Sequence, residues 1–454
     1  MRSRAQPGWH WLLVSLALGS SFAASPAGAR AQQEPKPAAK PPARTSSELH
    51  DDPLSLLLQQ ATAAINKNDF NAALEPLQKY LAERAEDPYA HFELGYAYSG
   101  LKRWEAAKTE FTRALALDPK MAAAYQNLGL VLMESDPGAA ADAFRRAAEL
   151  QPAESRPRFL AGTALERAGK LAEAMEQYRA ALALAPKDFD SNLAIGKGLL
   201  RMDKPGEAEN YFREAVSVRG DSQAARLGVA NALLAQKNYV AAAGALAEYL
   251  KLNPSDRAAR MDRVSALTAA NHLDDALAEL DLAENGSAPT AETLKTRGNI
   301  YSRQQQWRQA NDALTRALTS SPKDADVLLW LGHVKIELHD YASAIPLLAQ
   351  AYDADRNSPD ALRELVNALF LNGDYGPTLG AMDRLAKLEE LQPSSWFVRA
   401  ICYDKLSHKA EAVAAYQKFL ELDQGKNDTQ DFQARHRLIA LQNELAHEPK
   451  RKNK

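Results

Sequence analysis

The sequence predicts an all-α protein that is built as a tandem array of helix pairs. Three observations predict this fold class. Apolar residues between Pro88 and Asn127 recur at helical spacing, as Leu94, Tyr98 and Leu101 do. The same pattern returns at intervals of 34 residues along most of the chain. One position of that repeat, the twentieth, is almost always alanine.

The repeat defines eleven consecutive units between residues 54 and 426. Every step between unit starts is 34 residues except the step from Ala122 to Ser155, which is 33. An array of such units replaces the roughly three domains that a chain of 454 residues would otherwise suggest, since each unit contacts mainly its neighbours. The units are predicted to begin at Leu54, Pro88, Ala122, Ser155, Phe189, Gln223, Arg257, Ala291, Ala325, Pro359 and Pro393.

Small residues are predicted to mark the contact between the two helices of each unit. The twentieth position is alanine in ten units and Thr378 in the remaining one. A larger side chain there is expected to overpack, at a cost of about 1–3 kcal/mol. The eighth position is glycine in six units, and Gly95 and Gly332 are two of these glycines. We assign this position to the same contact, on the side of the first helix. The aromatic residues Trp104 and Trp307, both at position seventeen, are predicted to be core anchors.

These positions resemble the tetratricopeptide repeat family. In the unit that starts at Pro88, positions 7 and 24 are the large residues Leu94 and Phe111, and positions 8 and 20 are the small residues Gly95 and Ala107. The family has large and small residues at those places. The resemblance covers about four-fifths of the chain. It implies a right-handed superhelical solenoid of about eleven helix-turn-helix units, in which the first helices line a concave groove for extended peptides or partner helices.

Residues 1–31 have the form of a cleaved secretory signal peptide. Two arginines precede an uncharged run at 11–24, and small residues allow cleavage after Ala29 or after Ala31. The alternative is a retained membrane anchor, for which this run is short because a helical span needs about 20 residues. Cleavage after Ala31 removes three arginines and no acidic residue, which moves the formal charge from −3 to −6.

Three further segments flank the array. Residues 32–53 are rich in proline and alanine and are predicted to be an extended linker. Residues 427–447 are predicted to form an amphipathic helix that caps the array. Residues 448–454 are a basic tail that is expected to be solvated. The apolar residues assigned to the capping helix are Phe432, Leu438, Ile439, Leu441 and Leu445.

The sequence contains no catalytic constellation. Glycines 162 and 169 do not have the spacing of a phosphate-binding loop, and no His-Glu-x-x-His pair occurs. Cys402, the single cysteine, is predicted to be a buried small hydrophobic residue. The mildly acidic balance argues against nucleic acid as a partner. We therefore expect no enzymatic activity, no cofactor and no metal site.

The family resemblance places positions 2, 5, 9, 12 and 13 of the first helices in the groove. One candidate set is polar and is expected to suit an extended acidic segment, or a C-terminal carboxylate with a hydrophobic neighbour. The alternatives are that Asp326, Asp360 and Glu364 simply neutralise its cations, and that the aromatic set only packs locally. The polar set is Lys295, Asn299, Arg303, Leu329, His333, Arg363, Asn367 and Phe370, and the aromatic set is Tyr89, Phe92 and Tyr96.

The sequence thus predicts a non-catalytic scaffold for protein or peptide partners, exported to the bacterial periplasm or secreted. No nucleic-acid partner and no stable membrane insertion after signal cleavage are expected. The alternative function is an accessory subunit of an envelope assembly or polysaccharide export machine. A catalytic or barrel partner that copurifies with the protein would distinguish the two.

Overall fold

The computed structural model describes residues 53–284 and 286–447, and all regular structure in these two ranges is α-helical. The described residues divide into two compact segments, 53–184 and 185–447, each of which contains several repeat units. The predicted signal peptide, most of the linker and the basic tail lie outside the described residues. Within the described ranges, no helix is both long enough and apolar enough to cross a membrane.

The segment of residues 53–184 contains eight helices in antiparallel pairs. These are α1 (Pro53–Asn66), α2 (Phe70–Glu83), α3 (Pro88–Gly100), α4 (Trp104–Leu117), α5 (Ala122–Leu132), α6 (Pro137–Leu150), α7 (Ser155–Arg167) and α8 (Leu171–Leu184).

The segment of residues 185–447 contains seven further pairs and one additional helix. These are α9 (Phe189–Arg201), α10 (Pro205–Val218), α11 (Gln223–Ala235), α12 (Tyr239–Leu252), α13 (Arg257–Ala269), α14 (Leu273–Glu284), α15 (Ala291–Arg303), α16 (Trp307–Ser320), α17 (Ala325–Glu337), α18 (Tyr341–Ala354), α19 (Pro359–Asn372), α20 (Tyr375–Leu385), α21 (Pro393–Lys405), α22 (Lys409–Asp423) and α23 (Asp428–His447).

The helix starts follow the repeat frame. In ten units the first helix begins at the residue where the 34-residue frame begins the unit. The exception is the first unit, in which α1 begins at Pro53 and not at Leu54. Proline is favoured in the first turn of a helix, because its missing N–H would have no partner there. Helix α1 therefore begins at the last residue of the predicted linker of residues 32–53.

The twentieth position of each unit is fully buried. All ten alanines have no solvent exposure, and neither does Thr378. The Thr378 hydroxyl donates to the carbonyl of Asp374 at 2.8 Å, which satisfies the one polar group at this position. The ten alanines are Ala73, Ala107, Ala140, Ala174, Ala208, Ala242, Ala276, Ala310, Ala344 and Ala412.

The glycines at position eight lie at the contact between the two helices of a unit, where they face a large side chain. A Cβ built at Gly95 would lie 2.9 Å from the ring of Phe111, and one at Gly332 would lie 2.5 Å from Leu348. Phe111 and Leu348 hold position 24 of their units, whereas the alanine lies at position 20. Each glycine thus admits the large position-24 side chain to the contact between the helices.

Position seventeen is less buried than predicted. Trp104, at the start of α4, is 48% exposed and is not a core anchor. Trp307 is half-buried and packs against the cluster that includes Leu294 and Leu314. A residue in the first turn of the second helix lies at the edge of the pair, so its burial depends on the neighbouring unit.

The turn inside ten of the eleven units contains one residue in the left-handed region, at position fifteen. Only Gly169 and Gly373 are glycines, and the other eight have φ between 56° and 63°. The unit that starts at Ala122 has no residue with positive φ in its turn, and it is the unit with 33 residues. The missing residue is therefore the left-handed one. The eight are Asn68, Lys102, Asp203, Lys237, Asn271, Gln305, His339 and Ser407.

Tyrosine at position 27 ties one unit to the next. The hydroxyl of Tyr80 donates to Asp87 at 2.8 Å, and that of Tyr249 donates to Asp256 at 2.7 Å. Both aspartates also cap the following helix by accepting backbone N–H bonds. Burial, together with the Asp256 carboxylate, raises the pKa of Tyr249 to about 12. Tyrosine replaces the usual alanine here without loss of packing, because its hydroxyl has a partner.

Two connections between units are longer than the others in residues 185–447. Residues 285–290 join α14 to α15, and residues 386–392 join α20 to α21, whereas the other inter-unit connections have four residues. The helices before them are also short, with 12 residues in α14 and 11 in α20. The α14–α15 and α20–α21 contacts are the sparsest between consecutive helices in residues 185–447.

Candidate partner-binding surface

The first helices of three consecutive repeat units lie side by side in the segment of residues 185–447. Helix α17 contacts α15 on one side and α19 on the other. Position nine of these helices is Asn299, His333 and Asn367, all half-buried. Since the helices share one register, the three side chains form a line across them, which we call the groove row. The structure therefore brings together three of the residues predicted to bind a partner.

The two asparagines of the groove row have unused hydrogen-bonding groups. Within the described ranges, the side chains of Asn299 and Asn367 have no hydrogen-bond partner. A carboxamide offers two N–H donors and a carbonyl acceptor. An extended peptide presents a backbone N–H and a carbonyl, so each asparagine matches the backbone of such a segment whatever its sequence.

His333, in the middle of the row, is held by two neighbours. Its Nδ1 lies 3.1 Å from Oε1 of Glu364, and its ring meets the edge of the Trp307 ring at 6.0 Å between centroids. Burial lowers the pKa of His333, but the hydrogen bond and charge of Glu364 outweigh it, so the pKa is raised above its usual value. Oε2 of Glu364 is buried without a partner among the described residues, so the carboxylate has an unused acceptor.

Lys295 is paired rather than free. Its Nζ lies 3.1 Å from Oδ1 of Asp324 and 2.8 Å from Oδ2 of Asp326, and 5.5 Å from the centre of the Trp330 ring. Burial lowers the pKa of the ammonium, but the hydrogen bonds and charges of the two aspartates outweigh it and raise the pKa overall. Lys295 therefore links α15 to the start of α17.

The two arginines of the predicted site are also engaged. The Arg363 guanidinium donates to Glu389, with Nε 2.9 Å from Oε1, and it also bonds Asp360. Arg303 donates to the carbonyl of Thr268 and to Asn271, so it points toward α13 and away from the row. Asp326 and Asp360 of the sequence alternative thus pair with Lys295 and Arg363, whereas Arg303 has no acidic partner among the described residues.

Carboxylates outnumber cations around the row. The three cations Lys295, Arg303 and Arg363 lie among five carboxylates. This net negative charge disfavours an acidic segment, which is one of the partner chemistries that the sequence suggested. The carboxylates are Asp324, Asp326, Asp360, Glu364 and Glu389.

Leu329 and Phe370 are half-buried and lie at the margins of the row. Leu329 packs on the core cluster that includes Leu328 and Leu362. The ring of Phe370 meets Tyr375 edge-on at 6.2 Å between centroids. Both side chains therefore contribute more to packing than the sequence prediction assumed.

The predicted aromatic patch does not form an exposed surface. Phe92 is fully buried against Phe111, with ring centroids 5.7 Å apart, and Tyr96 is 8% exposed. Only Tyr89 is exposed, at 39%. The small residues Gly95 and Ala107 let α3 and α4 approach closely, which brings Phe92 into the core. The alternative of local packing is correct for Phe92 and Tyr96.

Position nine continues on α9, α11 and α13 with residues that were not selected from the sequence. Lys197, Asn231 and Ser265 hold this position, and all three are exposed. Helices α9 and α11 contact each other, so Lys197 and Asn231 are neighbours. Asn231 matches Asn299 and Asn367, and this recurrence of asparagine in the repeat frame is the signal that could have identified it.

The part of the chain that the structure describes contains no group of three or more His, Cys, Asp or Glu side chains placed to hold a metal ion. Cys402 is fully buried, and burial raises the pKa of its thiol to about 12. A thiol with such a pKa is a poor nucleophile at neutral pH, because the reactive form is the thiolate. Its burial confirms the prediction for this residue.

Comparison with protein families identifies the repeat. Two tetratricopeptide repeat families match, one at residues 134–189, 193–256 and 295–334 and the other at 88–121. A third family, "Anaphase-promoting complex, cyclosome, subunit 3", matches residues 337–419. Together these matches fall in both segments, 53–184 and 185–447.

Similarity to individual proteins is partial. A Haemophilus influenzae "Lipoprotein NlpI homolog" is 49% identical over 61 residues, which are 13% of this chain and 19% of that protein. MamA of Desulfovibrio magneticus RS-1 is 22% identical, with 37% of this chain and 95% of that chain covered and a TM-score of 0.35. YrrB, described as a TPR protein with an unusual peptide-binding site, is 20% identical, with coverages of 42% and 97% and a TM-score of 0.38.

Proposed function

Because this chain belongs to the tetratricopeptide repeat family, we propose that it is a non-catalytic scaffold that binds extended segments of partner proteins. The groove row of Asn299, His333 and Asn367 is proposed as the centre of the binding surface. The observation that carries the proposal is the pair of unpartnered carboxamides at one register of α15 and α19, the two first helices on either side of α17. Repeat arrays offer such continuous surfaces to partners.

The chemistry of the proposed partner segment follows from the surroundings of the row. The two carboxamides pair with the backbone of the segment, so they fix an extended conformation. The excess of carboxylates around the row favours a neutral or basic segment. A lysine or arginine side chain near the exposed Asp326 would form a charge-assisted bond, which is stronger than a neutral one.

A peptide library tests the proposed surface. A phage-displayed library of dodecapeptides is selected on the native protein, and the affinities of the selected peptides are measured by fluorescence anisotropy. We expect basic or neutral peptides, and we expect the double variant Asn299→Ala, Asn367→Ala to bind them at least tenfold more weakly. The loss of at least one hydrogen bond of about 1 kcal/mol at each of the two positions, about 2 kcal/mol in all, supports that factor.

The matched control is a double variant with the same chemistry elsewhere. Asn66→Ala and Asn210→Ala remove two exposed carboxamides from α1 and α10, outside the groove row. Their peptide affinities should equal that of the native protein. If the groove-row variant binds the selected peptides as tightly as the native protein and the control, the row is not the binding surface.

Export to the bacterial periplasm or cell envelope is the second part of the proposal. It is supported by the form of residues 1–31 and by the 61-residue similarity to a protein named as a lipoprotein. The alternative role is that of an accessory subunit of an envelope assembly or polysaccharide export machine. Fractionation of bacteria that produce the chain, followed by N-terminal sequencing, should give a mature protein that starts at Arg30 or Gln32. A start at Met1 in the exported fraction would show that the signal is retained.

A further inference from the structure

Position six of the first helix is acidic in three repeat units, as Glu93, Asp262 and Glu364. Two of these carboxylates contact the residue at position nine of the preceding first helix. Oε1 of Glu93 accepts a hydrogen bond from the Thr62 hydroxyl at 3.0 Å, and Oε1 of Glu364 lies 3.1 Å from Nδ1 of His333. Position six therefore faces the preceding first helix, at the level of its position nine.

Asp262, on α13, has no such contact. The residue at position nine of the preceding first helix, α11, is Asn231. Among the described residues, the side chains of Asp262 and Asn231 have neither a hydrogen bond nor an ion pair. An aspartate is one methylene group shorter than a glutamate, which accounts for the missing contact. Asp262 thus lacks the partner that Glu93 and Glu364 have at the same register.

The cations nearest to Asp262 in sequence are used elsewhere. Nη1 of Arg260 donates to Oε1 of Glu279 at 2.6 Å, and Arg263 pairs with the second oxygen of the same carboxylate. Asp262 itself is half-buried. Burial, and then the charge of Asp256 at the start of α13, raise the pKa of Asp262. Its carboxylate has therefore lost hydration without gaining a cation.

The surroundings of Asp262 suit a long cationic side chain. Leu227 and Met261, at position five of α11 and α13, are half-buried. Arginine and lysine bury their aliphatic stems on such apolar surface while the charged head remains polar. A guanidinium has five N–H donors in a planar fork, so it can bond both oxygens of a carboxylate and also the carboxamide oxygen of Asn231. A metal ion fits less well, because Ca²⁺ or Mg²⁺ takes about six oxygen ligands.

We propose that Asp262 and Asn231 bind an arginine side chain of the partner segment. The Asp262 carboxylate accepts two guanidinium N–H bonds, and the Asn231 carboxamide oxygen accepts a third. The inference rests on the proposed function, since the arginine belongs to a segment that lies along the first helices. The site itself is on α11 and α13, whereas the groove row is on α15, α17 and α19.

A tethered guanidinium tests the site locally. Ser265 is exposed, at position nine of α13, and it lies one helical turn from Asp262. The full chain with Ser265→Cys is equilibrated in mercaptoethanol with a disulfide that carries either a guanidinopropyl or an isosteric ureidopropyl group. Intact mass measures the fraction modified. Cys402 stays unmodified, because it is fully buried and its thiol has a pKa of about 12.

A second cysteine site provides the matched control. Ser217, on α10, is exposed and follows Glu214 by three residues, as Ser265 follows Asp262. Glu214 is exposed and has no side-chain partner among the described residues. The preference for guanidinium over urea at Ser217→Cys therefore measures a solvated acid together with the intrinsic difference between the probes. Exposed ion pairs are weak, so we expect the preference at Ser265→Cys to be at least fivefold larger.

Asp262→Asn assigns the effect. Added to Ser265→Cys, it should reduce the guanidinium preference to that of Ser217→Cys. On its own, Asp262→Asn should keep or raise the urea midpoint, because the carboxylate makes no contact in the protein. A lower midpoint would show that Asp262 has a structural role, and would overturn the proposal.

Peptides connect the site to the partner segment. Peptides selected on the native protein should contain arginine, and its replacement by citrulline should weaken binding to the native protein at least fivefold but leave binding to Asp262→Asn unchanged. Equal guanidinium preference at the two cysteine sites, or no effect of citrulline, overturns the proposal. Neither outcome affects the groove row, whose role is decided by the peptide affinity of the Asn299→Ala, Asn367→Ala variant.

Discussion

A glycine-to-alanine exchange at position eight tests the packing inside a unit. At Gly332 a Cβ would lie 2.5 Å from both Cγ and Cδ2 of Leu348, about 1 Å inside the optimal carbon–carbon distance. Overpacking of this kind costs about 1–3 kcal/mol. Alanine favours the helix over glycine by about 1 kcal/mol, so Gly332→Ala should be destabilising by up to about 2 kcal/mol.

The matched control has the same chemistry without the clash. Gly244 lies inside α12, and no atom lies within 4 Å of a Cβ built on it. Gly244→Ala should therefore stabilise the protein by about 1 kcal/mol through helix propensity alone. The two variants should differ in their free energy of unfolding by about 1–3 kcal/mol, which is the overpacking term by itself.

A double-mutant cycle identifies the colliding side chain. Leu348→Ala removes the atoms that a Cβ at Gly332 would meet, and alone it should cost about 2–5 kcal/mol. In the Gly332→Ala background it should cost less, because the new methyl group occupies part of the cavity. Urea unfolding, followed by far-UV circular dichroism and by tryptophan fluorescence, gives the four free energies. Equal stability of Gly332→Ala and Gly244→Ala, or additive effects in the cycle, would refute the packing argument.

Three other predictions concern the repeat units that start at Ala291, Ala325 and Pro359. Ala310→Leu should lower the free energy of unfolding by about 1–3 kcal/mol through overpacking, and Gln309→Leu on the exposed face should change it little; equal urea midpoints would contradict this. Gln305→Gly should raise the thermal midpoint, since it removes a left-handed penalty of about 1–2 kcal/mol at a smaller entropic cost, while Gly373→Ala should lower it. The stabilising effect of His333 over His333→Gln should be fully present below its unfolded pKa of about 6.5 and lost as pH rises through its raised folded pKa, so the difference between urea midpoints should be larger at pH 6 than at pH 8.5.

The repeat frame explains why the helices could be predicted so closely. Each first helix must return to the same register to pack on its neighbours, so the sequence period fixes helix starts from Pro88 to Pro393. The burial of Ala310 and its equivalents follows from the same constraint. The start of α1 differs because nothing in the frame distinguishes Pro53 from Leu54.

The charges of the candidate site could not be predicted from the same frame. Lys295 finds Asp324 and Asp326 in the next unit, and Arg363 finds Glu389 in a connection of irregular length. Long side chains choose among several partners within reach, and the repeat frame does not rank those partners. Helix periodicity could have separated Phe432, which is 63% exposed on α23, from Leu441, which is fully buried, since a spacing of nine residues is half a turn from alignment.

The two long connections, 285–290 and 386–392, have a consequence for folding cooperativity. In a repeat array the stability of each unit is coupled to its neighbours through the interfaces between them. The sparse contacts at α14–α15 and α20–α21 weaken that coupling at two places, so helices α15 to α20 are bounded as one block. This block contains the whole groove row. Its amides should therefore exchange hydrogen with solvent as a single group, below the energy of global unfolding. A peptide bound along the row would stabilise all six helices at once.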